Sequence, residues 1–283
     1  MQQRRLADLT VSAIGLGAMP LSVPGRPDED AAVRTVHAAL DAGVTLIDTA
    51  DAYCLGHDDV GHNERLVAKA LAAYGGDTSA VLVATKGGHT RPADGSWALD
   101  GSPEHLRAAC EASLRALGVE AIGLYQYHRP DPAVPYAESI GALEELRQEG
   151  KIRLVGISNA DPDQIELALA TTPLAAVQNE YSPAFRSSQR ELDLCARHGV
   201  AFLPWSPLGG AGKAAGLGQA YAVFGEVARE RGVSPQQVCL AWELAQADVV
   251  LPIPGARRPK SITDSAAATK LRLSKQELAR LSA

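Results

Sequence analysis

Short apolar or β-branched runs alternate with longer stretches of helical periodicity from one end of the chain to the other. Eight runs predict strands: Ala13–Leu16, Val44–Asp48, Val81–Lys86, Gly123–His128, Arg153–Ser158, Ala175–Gln178, Ala201–Trp205 and Val249–Ile253. Most are continuously apolar rather than alternating, the pattern of parallel strands covered on both faces. Between them lie helix starts and stops. Ser102-Pro103-Glu104 supplies an N-cap, a first-turn proline and an early acid ahead of Leu106, Cys110, Leu114 and Leu117. Asn63 precedes an apolar stripe of Leu66, Val67, Ala70, Leu71 and Tyr74 that runs to Gly75-Gly76. Asp161-Pro162 opens another helix, and Ser188…Glu191, Ser234…Gln237 and Ser274…Glu277 read as capping boxes. Gly43, Gly150 and Gly199 stand where a helix must stop before the next strand.

Eight strands, each followed by helical sequence, predict an α/β fold: one (β/α)8 TIM barrel, a single domain spanning residues 1–283. A doubly wound dinucleotide fold would instead need G-x-G-x-x-G after its first strand. The turn here reads Gly15-Leu16-Gly17-Ala18-Met19-Pro20, with proline where close helix packing requires the third glycine. Residues before Leu6, together with Thr10–Ser12, read as a small hairpin closing the barrel's bottom. The Gly- and Ala-rich stretch Gly209–Gly218 reads as a long loop after the seventh strand.

Composition narrows the partners. Hydrophobic residues make up 46% and charged residues 21%, with net charge −6 and no basic run, which argues against nucleic acid or an anionic membrane as partner. No stretch of about 18 apolar residues predicts a membrane span, and Arg4 and Arg5 have no apolar segment behind them as a signal peptide would. Cys54, Cys110, Cys195 and Cys239 share no C-x-x-C spacing and read as reduced thiols of a cytoplasmic protein, expected to be a monomer.

In a barrel of this kind reactive side chains sit at the C-terminal strand ends. Strand two ends in Asp48, with Tyr53 five residues on; strand three ends in Lys86 and strand four in His128. These four have a joint logic. Reducing a carbonyl requires a hydride on carbon and a proton on oxygen. A phenol with pKa of about 10 is a weak acid, and a buried ammonium beside it favours the phenolate. A carboxylate holds that ammonium in place, and a histidine can orient the carbonyl oxygen.

The matching pieces run in order along nearly the whole chain. They are Gly15-Leu16-Gly17-Ala18-Met19, Asp48-Thr49-Ala50-Asp51-Ala52-Tyr53, Ala84-Thr85-Lys86, Tyr127-His128 and Gly156-Ile157-Ser158-Asn159. Gln178-Asn179-Glu180-Tyr181-Ser182-Pro183, Trp205-Ser206-Pro207-Leu208-Gly209 and Ile253-Pro254-Gly255-Ala256 complete the set. In these the sequence resembles the aldo-keto reductase superfamily. The resemblance implies a catalytic tetrad of Asp48, Tyr53, Lys86 and His128, with Tyr53 as general acid. It implies direct hydride transfer from NADPH to an aldehyde or ketone, without a metal. Cofactor contacts are implied at Gly17, Ala18, Met19, Asp48 and Ile253. Ser158, Asn159 and Gln178 would cradle the carboxamide, and Trp205 would stack on the nicotinamide. Ser206, Pro207, Leu208 and Gly210 would run beside the pyrophosphate. Gly255, Arg257, Arg258, Ser261, Asp264 and Ser265 would form the adenosine-phosphate site. A guanidinium grips a 2′-phosphate through paired hydrogen bonds, so Arg257 or Arg258 favours NADPH over NADH.

The chain departs from the family pattern behind the tyrosine. Cys54–Asn63 is a longer loop bearing His57, Asp58, Asp59 and His62, read as a polar loop rather than a metal site. Arg129 follows the site histidine, where it would either face the pocket or pair with Asp131, and His89, Arg91 and Trp97 sit in a loop that could wall the pocket. Two rivals stand beside the reductase. One is an NADPH-binding regulatory subunit of the same fold. The other is a metal-dependent barrel hydrolase, which needs histidine pairs at strand ends where this chain has only His128.

Overall fold

The computed structural model describes residues 1–210 and 212–283, so position 211 of the Gly209–Gly218 segment lies outside the described residues. Seven parallel strands form a curled sheet. In spatial order they are Ala201–Phe202, Leu174–Gln178, Ile152–Ser158, Ile122–Tyr127, Leu82–Gly87, Leu46–Asp48 and Leu16–Gly17. The eighth stave, expected as a strand over Val249–Ile253, is not one. It closes the barrel through isolated bridges, Val250 to Phe202 and Gly255 to Gly17. The reason is in its sequence. Pro252 and Pro254 have no N–H and cannot build a ladder. They still accept, from Gly15 N at 2.9 Å and Gly17 N at 3.1 Å. Pro204 ends the seventh strand at Phe202 in the same way, short of the expected Trp205.

Period-two alternation sorts each strand. Leu46, Leu82, Ala84, Leu124, Ala176, Leu251 and Ile253 fill one apolar cluster within the barrel, while Ile47 packs in a separate cluster with the helix residues Val36, Leu66 and Ile262. Counting on by twos from the interior residues reaches Asp48, Lys86, Gln126, His128 and Gln178, all at the same end of the sheet. The alternation therefore turns these polar groups inward above an apolar plug.

The N-terminal hairpin, Gln3–Leu6 with Leu9–Ser12, forms as expected. The Arg4 guanidinium donates to the carbonyls of Leu244, Ala247 and Val250 and pins the hairpin to the barrel. Ser102, Asp161 and Ser274 cap their helices, the last two in reciprocal boxes with Gln164 and Glu277. Ser234 caps through Gln237 N, but the Gln237 side chain is turned to Asp264 instead. Ser188 makes no cap at all, its backbone lying outside the extended region an N-cap needs. Gly43, Gly150 and Gly199 all take positive φ. The helix after the second strand starts at His62, one residue earlier than the Asn63 signal, because Asn63 is buried and employed elsewhere. Among the described residues no helix is long and apolar enough to cross a membrane.

Candidate active site

Four side chains from three neighbouring strand ends and one loop meet at the C-terminal mouth. Lys86 is fully buried, and its Nζ donates to Asp48 Oδ2 at 2.7 Å, to the Thr49 carbonyl at 2.9 Å and to the Tyr53 hydroxyl at 3.0 Å. Those three acceptors use all the ammonium protons, so its position is fixed. The Tyr53 and His128 rings meet edge to face with centroids 5.6 Å apart. Both are 7% exposed, so each ring is almost wholly enclosed.

The electrostatics differ from the sequence expectation in one respect. Lys86 was expected to bring the phenol's pKa down. Burial instead pushes the Tyr53 phenol above its ordinary value, with the Lys86 charge only partly offsetting it. Burial works against the Lys86 ammonium too, yet Asp48 and Tyr53 outweigh it and hold the lysine above its usual value. His128 is driven well below the ordinary histidine range by burial first, then by the charge of Lys86. At neutral pH the site thus holds a phenol with its proton, a charged lysine and an uncharged imidazole. The buried His128 Nδ1 has no hydrogen-bond partner.

Gln126 belongs to this site although sequence reasoning passed over it. Its Nε2 donates to Asp48 Oδ1 at 3.3 Å, and Gln178 Nε2 donates to the same oxygen at 2.7 Å and to Gln126 Oε1 at 3.3 Å. The available signal was a glutamine two residues before His128 in an otherwise apolar strand. His89 was also undervalued. Its ring stands perpendicular to His128 with centroids 4.3 Å apart.

The residues expected to hold a dinucleotide lie at strand ends and in the loops and helix starts beyond them. Asn159 adopts the left-handed region, φ 57°, and its Nδ2 donates to the His128 carbonyl at 3.0 Å and to Ser158 Oγ at 3.0 Å. Ser158 donates to the Gln178 carbonyl, so strands four to six are locked together at their ends. Trp205 is half-buried, with a buried Nε1 that finds no protein acceptor. Ser206, Gly209 and Gly210 all have positive φ, giving a backbone curl beside Pro207 and Leu208. Across the mouth, a Cβ on Gly17 would sit 2.7 Å from the Ile253 carbonyl, and one on Gly255 2.7 Å from Pro20. This close approach makes the groove beside Ala18 and Met19. Arg257, Arg258 and the half-exposed Ser261 lie at the N-terminus of the helix Pro259–Ala267, where the helix dipole favours an anion. Arg257 donates to the Pro24 carbonyl, while both guanidinium groups remain exposed. Asp264 accepts from Ser234 and Gln237 with both its oxygens, tying two helices together, and Ser265 is buried beside it.

The Cys54–Asn63 loop uses its polar groups locally. His57 pairs with the Arg91 carbonyl, Asp59 with Arg26, and His62 with Ser22. Asn63 accepts from Thr49 and donates to the Ala18 carbonyl and Ser22, bracing the first two strand ends. Arg129 donates to Asn159 Oδ1 at 3.2 Å, whereas Asp131 caps the backbone of Gly101 and Ala133.

Comparison with known proteins gives one answer along the whole length. The description "Aldo/keto reductase family" belongs to a family model that matches residues 13–283. An uncharacterized oxidoreductase of Schizosaccharomyces pombe is 32% identical over 281 residues, covering 98% of this chain and 88% of its own. The glycerol dehydrogenase of Gluconobacter oxydans is similar in structure with a TM-score of 0.86 at 30% identity, over 99% of this chain and 93% of that one. An aldo/keto reductase from Klebsiella pneumoniae, solved in complex with NADP and acetate, gives a TM-score of 0.80 at 30% identity. That match covers 96% of this chain and 90% of the other.

Proposed function

Given that the chain belongs to the aldo/keto reductase family, we propose that it is an NADPH-dependent reductase of aldehydes or ketones, with Tyr53 as general acid. One observation carries the reading. A buried lysine at 3.0 Å from a phenol and 2.7 Å from a carboxylate is an arrangement for releasing a phenolic proton and stabilising what remains. When bound, the reduced nicotinamide supplies the hydride. The rim suits such a cofactor: Trp205 offers an aromatic face, Asn159 and Gln178 offer amides, and Gly17 and Gly255 leave room for close approach.

The chain's own groups do the rest. Tyr53 donates its proton to the carbonyl oxygen, and the Lys86 ammonium balances the phenolate left behind. Asp48, held by Gln126 and Gln178, keeps Lys86 in place. His128, uncharged, directs the carbonyl oxygen toward Tyr53 through its ring N–H. The apolar plug below and the 7% exposure above keep bulk water from competing for the proton. Arg257, Arg258 and the helix N-terminus beside them take the 2′-phosphate. The chain works on a small carbonyl compound in the cytoplasm as a monomer, its four cysteines free and buried.

The direct check is NADPH absorbance against a panel of aldehydes and ketones. Turnover with several simple aldehydes is expected. A chain that binds NADPH yet reduces none of them would instead be a regulatory subunit. In the same assay, Arg257→Ala with Arg258→Ala should raise the KM for NADPH at least tenfold, with little effect on NADH. Equal effects on both cofactors would remove the phosphate role.

A further inference from the structure

Two threonines adjoin the groups that serve Tyr53: Thr49 follows Asp48, and Thr85 precedes Lys86. Alternation turns Asp48 and Lys86 into the barrel, so Thr49 and Thr85 point outward to the helix His62–Ala72. Both are fully buried, and each spends its hydroxyl on the first turn of that helix. Thr49 Oγ1 donates to Asn63 Oδ1 at 2.6 Å, and Thr85 Oγ1 donates to Glu64 Oε1 at 2.6 Å. Asn63 also reaches Asp48 by a second route. Its Nδ2 donates to the Ala18 carbonyl at 2.9 Å, and the Ala18 amide donates to the Asp48 carbonyl at 2.8 Å. The Gly61 amide donates to the Asp51 carbonyl at 2.8 Å and ties the same helix start to the segment that carries Tyr53.

Asn63 and Glu64 are expensive choices for these positions. Asparagine is a favoured N-cap, yet Asn63 is drawn to the strand ends, and the helix opens at Gly61, φ 78°, with no side-chain cap. Glu64 is 1% exposed, and burial pushes its carboxyl above the ordinary value, a penalty that an apolar side chain would avoid. What the two residues have in common is the pair of threonines. Thr49 matters directly, because its carbonyl is one of the three acceptors of the Lys86 ammonium. Holding the Thr49 peptide therefore holds an acceptor of the lysine itself. Gln126 and Gln178 fix the Asp48 carboxylate from inside the barrel, and the helix start fixes the backbone from outside.

We propose that Asn63 and Glu64 are positioning residues for proton transfer, acting through Thr49 and Thr85. They fix the segments bearing Asp48 and Lys86, and with them the 3.0 Å approach of the ammonium to the Tyr53 hydroxyl. The role rests on Tyr53 and Lys86 being the proton-transfer pair. A misplacement of about 1 Å can cost on the order of 10²-fold in rate, so loosening one of several restraints should cost less.

Thr49→Val and Thr85→Val remove the hydroxyls at nearly constant shape, and Thr49→Ser and Thr85→Ser return them. With NADPH bound, each valine variant should reduce an aldehyde about three- to tenfold more slowly in a single turnover, with NADPH Kd within about twofold of wild type. Thr49→Val should be the slower of the two, and each serine variant should recover at least about half of the lost rate. A second readout needs no turnover. All three Lys86 ammonium protons are held, so in the NADPH complex they should give a slowly exchanging ¹H–¹⁵N NMR signal, absent in Lys86→Met. The valine variants should exchange these protons at least roughly threefold faster. The two threonines test the brace separately, so a variant that fails to fold leaves the other to decide. Unchanged ammonium exchange in the valine variants, no such signal in wild type, or serine variants as impaired as the valine ones would overturn the brace. A wild type that reduces no aldehyde sinks the reductase reading instead, and ammonium exchange then decides the brace alone.

Discussion

At the scale of single residues the site is a chain of dependence that starts from Asp48. Its two oxygens receive Lys86 on one side and two glutamine amides on the other, so the carboxylate cannot turn away. Gln126→Leu removes one of those donors without touching a reactant. The expected result is a fall of about three- to tenfold in kcat, a smaller change in KM, and about 1 kcal/mol less stability. Steady-state kinetics with urea unfolding would show it, and unchanged kcat would mean that Gln178 alone suffices. The meeting of these side chains was legible in the sequence because strand-end position and residue chemistry agree for Asp48, Lys86 and His128. Gln126 was not, since a lone glutamine in a strand carries no chemistry until its partner is known. The direction of the Tyr53 shift was also beyond reach. It depends on how far burial outweighs one ammonium, and burial is a property of the folded chain.

At the scale of elements, apolar runs found seven strands, although the first is Leu16–Gly17 rather than the expected Ala13–Leu16, and proline explains two other differences. Pro204 shortens one strand and Pro252 with Pro254 replaces another by a stave that accepts hydrogen bonds but donates few. An apolar run records burial, not pairing, so the eighth strand looked like the others. Capping chemistry was read correctly where the side chain had no better partner, as at Ser102 and Asp161. It failed where tertiary contacts competed, as at Gln237. The helix Pro235–Leu244 carries a buried cost of its own. Glu243 is fully buried, both its oxygens lack partners, and burial pushes its carboxyl well above the usual value. A folded-state pKa above the unfolded one means that stability is complete below about pH 4.5 and is lost as pH rises. Glu243→Leu removes this penalty. It should raise Tm by roughly 3 °C at pH 8 and by clearly less at pH 5, read by thermal unfolding at both. A lower Tm at pH 8 would show that the Glu243 carboxyl makes a net stabilising contribution and would overturn the penalty.

At the scale of the whole molecule, the barrel separates two tasks. Its lower half is an apolar plug closed by the hairpin that Arg4 pins, and its upper rim gathers polar groups from six strand ends and the loops beyond them. That division follows from one rule, alternation along parallel strands, and so the architecture was readable from pattern alone. The substrate was not. The loops beyond the strand ends, among them Cys54–Asn63 and His89–Leu99, depend on local pairings such as His57 with the Arg91 carbonyl. The central claim is that this framework exists to deliver one proton from Tyr53. It is tested most directly by Tyr53→Phe, measured in parallel for NADPH affinity by fluorescence titration and for aldehyde reduction in a single turnover. The expected result is an NADPH Kd within about twofold of wild type and a reduction rate lower by on the order of 10³-fold. Reduction at the wild-type rate would contradict the assignment.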